Sequence, residues 1–225
     1  FVEIGALVTK RSTDFNMQEN DTPKDGVITG YGVINGKIVY VYSQDATVLG
    51  GAIGEMHAKK ISKIYDMAMK VGAPVVGLID CAGLRLQEAT DAMNAFGEVY
   101  LKQTLASGVI PQITAIFGTC GGGAALIPTL TDFTFMTKEG SKLFVNSPNA
   151  LDGNNSAKLD TASADYLSNN TSLVEFVCED DGQLLAQEFV APHIIDNEYD
   201  FFADIHSNKG LKGPGTYAKT NFIFA

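Results

Sequence analysis

Pro111-Gln-Ile-Thr-Ala-Ile-Phe-Gly-Thr-Cys-Gly-Gly-Gly-Ala-Ala-Leu-Ile-Pro128 settles how the rest of this chain is understood. Ile113, Ala115 and Phe117 alternate as a strand requires, Gly118, Gly121, Gly122 and Gly123 let the backbone turn sharply, and an Ala/Leu-rich segment then reads as helix. A strand, a glycine elbow and a helix start have a chemical meaning. The first N–H groups of a helix have no acceptor within it and lie at the positive end of its dipole, so they can hold an oxyanion, and glycine lets a substrate come close. The alternative reading of the same residues is a tight turn between buried elements.

Upstream, Ala73-Pro-Val-Val-Gly-Leu-Ile-Asp-Cys81 is a nearly continuous apolar run, the pattern of a strand covered on both faces. It leads through Ala82-Gly-Leu-Arg-Leu-Gln87 into a helix expected to run through Ala106, with Ala92, Phe96, Val99 and Leu105 toward the core, and Gly108 ends that unit. An earlier helix places Ile61, Ile64, Ala68 and Val71 at helical spacing and is closed by Gly72. Lys59, Lys60 and Lys63 form its expected exposed face. A lysine face is usually just solvated, but in an acidic chain it is also a seat for phosphates. Ahead of that helix lie the loop Gln44 to Gly54 and the run Val33 to Tyr42, in which Asn35-Gly36 between apolar residues signals a hairpin with a type I′ turn. Phe1 to Lys24 reads as a polar N-terminal segment without chemistry.

Downstream, Phe133–Met136 and Leu143–Val145 read as two short strands. Asn149 to Ser172 is rich in Asn, Ser and Asp, which suits loops and one polar surface helix. An amphipathic stretch from Leu173 to Val190, interrupted at Gly182, comes next. Tyr199–Ile205 is again amphipathic, and Thr220–Ala225 reads as a strand in need of a partner. The order is strand, strand, helix, repeated, in an α/β chain.

With 225 residues the chain can bury one good core, and 45% hydrophobic with 19% charged residues is ordinary for a globular protein. A formal charge of −10 with only two arginines, Arg11 and Arg85, argues against a nucleic-acid partner. Cys81, Cys120 and Cys178 cannot all pair and lack metal-ligand spacing, so a reducing cytoplasm and no structural metal are expected. No apolar run approaches the ~18 residues of a membrane span, and the start at Phe1 reads as that of a trimmed cytosolic fragment.

Seven stretches together resemble a known family: Gly26-Val-Ile-Thr-Gly-Tyr-Gly32, Gly36–Asp45, Leu49-Gly-Gly-Ala-Ile-Gly-Glu-Met-His-Ala-Lys-Lys-Ile61, Leu84-Arg-Leu-Gln-Glu88, Ala106–Ile113, Cys120-Gly-Gly-Gly-Ala124 and Leu130–Met136. They are similar, in order, to the carboxyltransferase subunit of biotin-dependent acyl-CoA carboxylases, a family that includes propionyl-CoA carboxylase β subunits and the α subunits of sodium-pumping acyl-CoA decarboxylases. The resemblance implies a crotonase-like ββα spiral and carboxyl transfer between carboxybiotin and the α-carbon of an acyl-CoA through a thioester enolate. It places oxyanion-hole N–H groups at Gly122 and Gly123, the site-lining loop at Ala82, Gly83 and Arg85, and the CoA-receiving loop at Gly50 and Gly51. Lys60 and Arg85 are its cationic candidates for CoA phosphates. It also implies a biotin carboxyl carrier protein as partner and a homo-oligomer with the site at the subunit interface. No membrane insertion is implied.

By this resemblance residues 1–24 are an N-terminal segment, 25–195 an acyl-CoA domain, and 196–225 the beginning or remnant of a second, similar domain that would supply the biotin side of the site. Family members are much longer than this chain. Ala68-Met-Lys-Val71 is similar to the motif around a biotinylated lysine, but Lys70 falls inside a helical pattern, whereas a biotinyl lysine sits on a hairpin tip. Two other readings stand beside the family. Gly118-Thr-Cys-Gly-Gly122 fits the elbow of an α/β-hydrolase with Cys120 as nucleophile, which needs a later histidine such as His193 or His206. A non-catalytic CoA-binding or assembly fragment is the third.

Overall fold

The hairpin signal at Asn35-Gly36 is met by β2 (Val27–Ile34) and β3 (Lys37–Gln44), which pair antiparallel with Ile34 opposite Lys37. In this computed structural model residues 1–34, 36–147 and 160–185 are described. β1 (Val2–Ile4) adds antiparallel to β2, and Met17 is fully buried, so the first 24 residues belong to the same body as the sheet. A three-residue strand is too short to declare itself by alternation, which is why the sequence left this segment apart.

From β3 the sheet turns parallel. β4 (Val75–Cys81), β5 (Gln112–Gly121), β6 (Phe133–Thr137) and β8 (Phe176–Cys178) continue it in the order β1-β2-β3-β4-β5-β6-β8, and β7 (Lys142–Phe144) pairs off this path with the far end of β5. Parallel neighbours need a crossover, and helices supply it: α1 (Glu55–Val71) joins β3 to β4, and α2 (Ala89–Ala106) joins β4 to β5. Both cover one face of the sheet, where Ile61, Ile64, Tyr65 and Ala68 meet Ala95, Phe96 and Val99 over Val75, Ile79 and Ile116. The alternate residues Val39, Val76, Ile113, Ala115, Phe133 and Phe135 make a second cluster on the other face. Each fully buried large aliphatic side chain contributes roughly 1.5–3 kcal/mol, so these two clusters dominate stability.

α1 closes as expected, with Gly72 at φ +69° donating its N–H to Ala68 O. Val71 and Leu105 are exposed instead of buried. Val71 lies in the last turn of α1, and on α2 the core positions after Val99 fall on Gln103 and Ala106. α3 (Ala164–Asn170) is the expected polar surface helix, capped by Ser163 Oγ accepting from Tyr166 N. Within the stretch read as amphipathic, Phe176–Cys178 is a strand and Gly182 lies inside the short helix α4 (Asp181–Leu185). The expectations for Tyr199–Ile205, Thr220–Ala225 and the second-domain remnant fall outside the described residues.

Candidate functional site at the glycine junction

The deciding stretch does form a strand and a sharp turn, but no α-helix comes after the turn. Gly122–Leu126 and Pro128–Leu130 are two 3₁₀ turns, and Ile127 N bonds to Ala124 O, three residues back. Pro128 has no N–H to give an i→i−4 bond, so an α-helix cannot run through. Gly122 and Gly123 are the first two residues of the turn, so neither donates a hydrogen bond within it.

A bulge aims this turn. Ile79 faces Ile116, but Cys81 faces Cys120, so β5 spends two extra residues there. Asp80 fills the gap, its Oδ1 accepting from Thr119 N at 3.0 Å. The strand end is thereby bent over the loop that leaves β4: the direction of a Gly83 Cβ points at Gly121 O, 3.0 Å away, and that of Gly122 at Gly83 Cα, 3.9 Å away. The third wall is the loop after β3. Ala82 N bonds to Gly50 O at 2.9 Å, Ile53 N to Gly83 O at 2.9 Å and Arg85 N to Ile53 O at 3.0 Å, zipping residues 50–53 to 82–85. Only glycine serves at Gly51, where φ is +67° and a Cβ would lie 1.9 Å from Asp80 O.

Gly50, Gly51, Ala82, Gly83, Gly122 and Gly123, named from separate parts of the sequence, thus meet at the carboxyl ends of two parallel strands, where open α/β sheets bind ligands. Gly50, Ala82 and Gly123 are exposed and Gly122 is half-buried, so the junction presents backbone to solvent.

The two cationic candidates are not there. Lys60 is buried, and its ammonium donates to Lys24 O and Val27 O. Burial, first of all, brings its pKa down to about 8. The expected exposed lysine face is therefore corrected: Lys60 points inward, Lys59 is paired with Glu55, and Lys63 alone of the three is exposed. Arg85 is also fully buried, its Nη1 2.5 Å from Asp25 Oδ1 and 3.0 Å from Glu88 Oε1. The same two carboxylates cap α1, whose own N-cap, Gly54, has no side chain to accept a hydrogen bond. Glu88 Oε2 accepts from Glu55 N and Asp25 Oδ2 from His57 N, both at 2.7 Å. A guanidinium so enclosed cannot reach a phosphate. Arg85 instead fastens the loop after β4 to the start of α1.

His57 completes this knot. Its Nδ1 lies 2.9 Å from Asp25 O, and a carbonyl only accepts, so Nδ1 carries the hydrogen and Nε2 accepts from Gln44 Nε2 at 3.1 Å. Burial and then the charge of Arg85 push its pKa down to about 3. It is a neutral structural histidine.

Cys120 is no nucleophile. It is fully buried, its thiol donates to Ala124 O at 3.3 Å, and burial raises its pKa well above that of a free thiol. His193 and His206 lie outside the described residues. Sequence reading missed Asp80 and Tyr100, which brace the junction. Tyr100 lies on α2, and its hydroxyl donates to Gly123 O at 2.6 Å. Only the partner across the fold reveals either role.

The carboxyl transferase domain matches residues 1–186, and the chain belongs to that family. Among its relatives, the methylmalonyl-CoA decarboxylase subunit alpha of Propionigenium modestum is 53% identical over 151 residues, which make up 67% of this chain and 29% of that protein. The propionyl-CoA carboxylase beta chain of Roseobacter denitrificans is also 53% identical over 151 residues, 67% of this chain and 30% of its own length. The solved structure of transcarboxylase 12S, a hexamer with methylmalonyl-CoA and methylmalonic acid bound, superposes with a TM-score of 0.77 at 36% identity, covering 83% of this chain and 37% of that one. The chain spans about three tenths of the length of these curated relatives. The expected crotonase-like α/β fold is the fold found, and the α/β-hydrolase reading is overturned by both the family and the buried thiol. No helix among the described residues is long and apolar enough to cross a membrane.

Proposed function

We propose that this chain carries the acyl-CoA half of a carboxyltransferase site, at which a carboxyl group moves between carboxybiotin and the α-carbon of a short-chain acyl-CoA. The observation that carries the reading is the junction itself, where backbone from three loops converges at an open edge and the N–H groups of Gly122 and Gly123 lead the 3₁₀ turn. Apart from its chain neighbours, a Cβ on Gly122 would meet nothing nearer than Gly83 Cα at 3.9 Å, which leaves room beside the turn for a thioester. When the α-proton leaves, negative charge develops on that oxygen, and two fixed donors stabilise the enolate, each worth on the order of 3 kcal/mol of barrier. The loops around Gly50 and Ala82 line the approach of the CoA chain. Carboxybiotin, when bound, supplies the CO2 that the enolate carbon captures and an acceptor for the α-proton. No described residue is assigned to it, and a second domain across a homo-oligomer interface, served by a biotin carboxyl carrier protein in the cytoplasm, is part of the same proposal.

The opposite direction, decarboxylation of a 2-carboxyacyl-CoA, passes through the same enolate. Equal identity to a decarboxylase subunit and a carboxylase chain supports either direction. The test is titration calorimetry with acetyl-, propionyl- and malonyl-CoA, joined to exchange of the acyl α-proton with deuterium oxide in the complete enzyme. Binding together with catalysed exchange is the expected result. A folded enzyme that binds none of the three and exchanges no proton would remove the reading.

A further inference from the structure

Three consecutive glycines are a poor way to hold two donors still, because each is free to rotate about both backbone bonds. An oxyanion hole nevertheless works only if its donors are aimed before the charge appears. The turn must therefore be held from outside. At its start, Gly121 pairs with Phe144 of β7, and on its inner side the Cys120 thiol reaches Ala124 O. On the open side the contact is Tyr100, whose hydroxyl donates to Gly123 O at 2.6 Å.

We propose that Tyr100 is the positioning residue that sets the direction of the Gly122 and Gly123 N–H groups. The inference rests on the proposed acyl-CoA site and names what makes that site rigid. Holding Gly123 O fixes the far end of the two-peptide span whose near end Gly121 fixes, so the intervening N–H groups cannot swing. The phenol is itself held. Its ring packs tilted against Phe96 one helical turn earlier, with centroids 5.6 Å apart, and both stand on the rigid helix α2. Gly123 is part of the same fit, since a Cβ there would come within 3.1 Å of the hydroxyl and 3.5 Å of the Phe96 ring. Burial raises the Tyr100 pKa to about 12, which keeps the proton on the donor at neutral pH.

The test uses the complete enzyme. Tyr100→Phe keeps the ring and removes the hydrogen bond, and it should lower kcat for both carboxyl transfer and α-proton exchange by about tenfold to a hundredfold, the scale of a small misplacement of catalytic groups. KM for the acyl-CoA should change little, because Tyr100 aims the donors and does not hold the CoA. Replacing Tyr100 with a fluorinated, more acidic tyrosine should move the alkaline limb of the kcat profile to lower pH, since a phenolate cannot donate to Gly123 O. A residue needed only for packing would not shift that limb. Tyr100→Phe with near-normal kcat, or superimposable pH profiles, would overturn the proposal. Gly122→Ala separates the two levels. If it abolishes transfer while Tyr100→Phe does not, the site stands and the brace falls; if neither variant matters, the site reading falls and takes the brace with it.

Discussion

Arg85→Met is the substitution that most directly separates what the sequence suggested from what the fold does with this residue. The guanidinium is enclosed by Asp25 and Glu88, whose side chains are 0% and 1% exposed. Methionine approximates the volume but leaves two carboxylates facing each other in the interior. Removing one partner from a buried ion cluster costs about 3–5 kcal/mol, because the remaining charge is uncompensated. For a domain of this size 1 kcal/mol lowers Tm by about 2–4 °C, so a fall of roughly 6–20 °C is expected by calorimetry. The damage should be local first. The amides of Glu55 and His57, which donate to Glu88 and Asp25, should lose protection in hydrogen exchange before the core strands do. Asp25→Asn added to Arg85→Met should recover part of the loss by removing one stranded charge. At a temperature where the variant stays folded, acyl-CoA affinity should be nearly that of the parent. Unchanged Tm and exchange, with affinity about tenfold weaker or worse and its salt dependence reduced, would refute the reasoning and return Arg85 to the phosphate role.

Three further outcomes are expected. Gly122→Ala fits sterically, since its Cβ would lie 3.9 Å from Gly83 Cα, and at φ +60° it should cost only about 1–2 kcal/mol of stability. Transfer should nevertheless fall by about a hundredfold or more, and near-normal steady-state rates in a folded variant would show the glycines to be only a turn. Cys120→Ala should keep transfer within about tenfold of the parent, because enolate chemistry needs no thiol; a trapped thioester adduct on Cys120 would contradict this. His57 takes up a proton below pH 6.5 when unfolded but only near pH 3 in the fold, so the unfolded state binds more protons between these values. Its contribution is complete above pH 6.5 and is lost as pH falls toward 3, on the order of 2 kcal/mol by pH 5. His57→Asn should flatten that limb in denaturant titrations from pH 7.5 to 5, and an unchanged slope would count against a neutral buried imidazole.

The elements followed from the amino-acid sequence, because their signals are local. Asn35-Gly36 makes a hairpin from any flanking β-prone runs, Gly72 ends a helix wherever the apolar spacing stops, and the run before Cys81 is too apolar to lie anywhere but between two covered faces. The elbow glycines at 121–123 were also legible, since a sharp turn favours glycine and glycine can be read directly, whereas Gly50, Gly51, Ala82 and Gly83 were named only through the family resemblance. Side-chain destinations were not legible. Lys60 and Arg85 carry the charge a phosphate would want, but charge at a position says nothing about which way it faces. That depended on Asp25 arriving from 60 residues before Arg85, and on carbonyls of the β2 approach arriving beneath α1. Asp80 and Tyr100 were illegible for the same reason, as each acts on backbone that the sheet and helix packing bring to it from 39 and 23 residues away. The replacement of an expected α-helix by two 3₁₀ turns was set by Pro128, and that left the glycine N–H groups in a short turn where only contacts across the tertiary structure hold their direction.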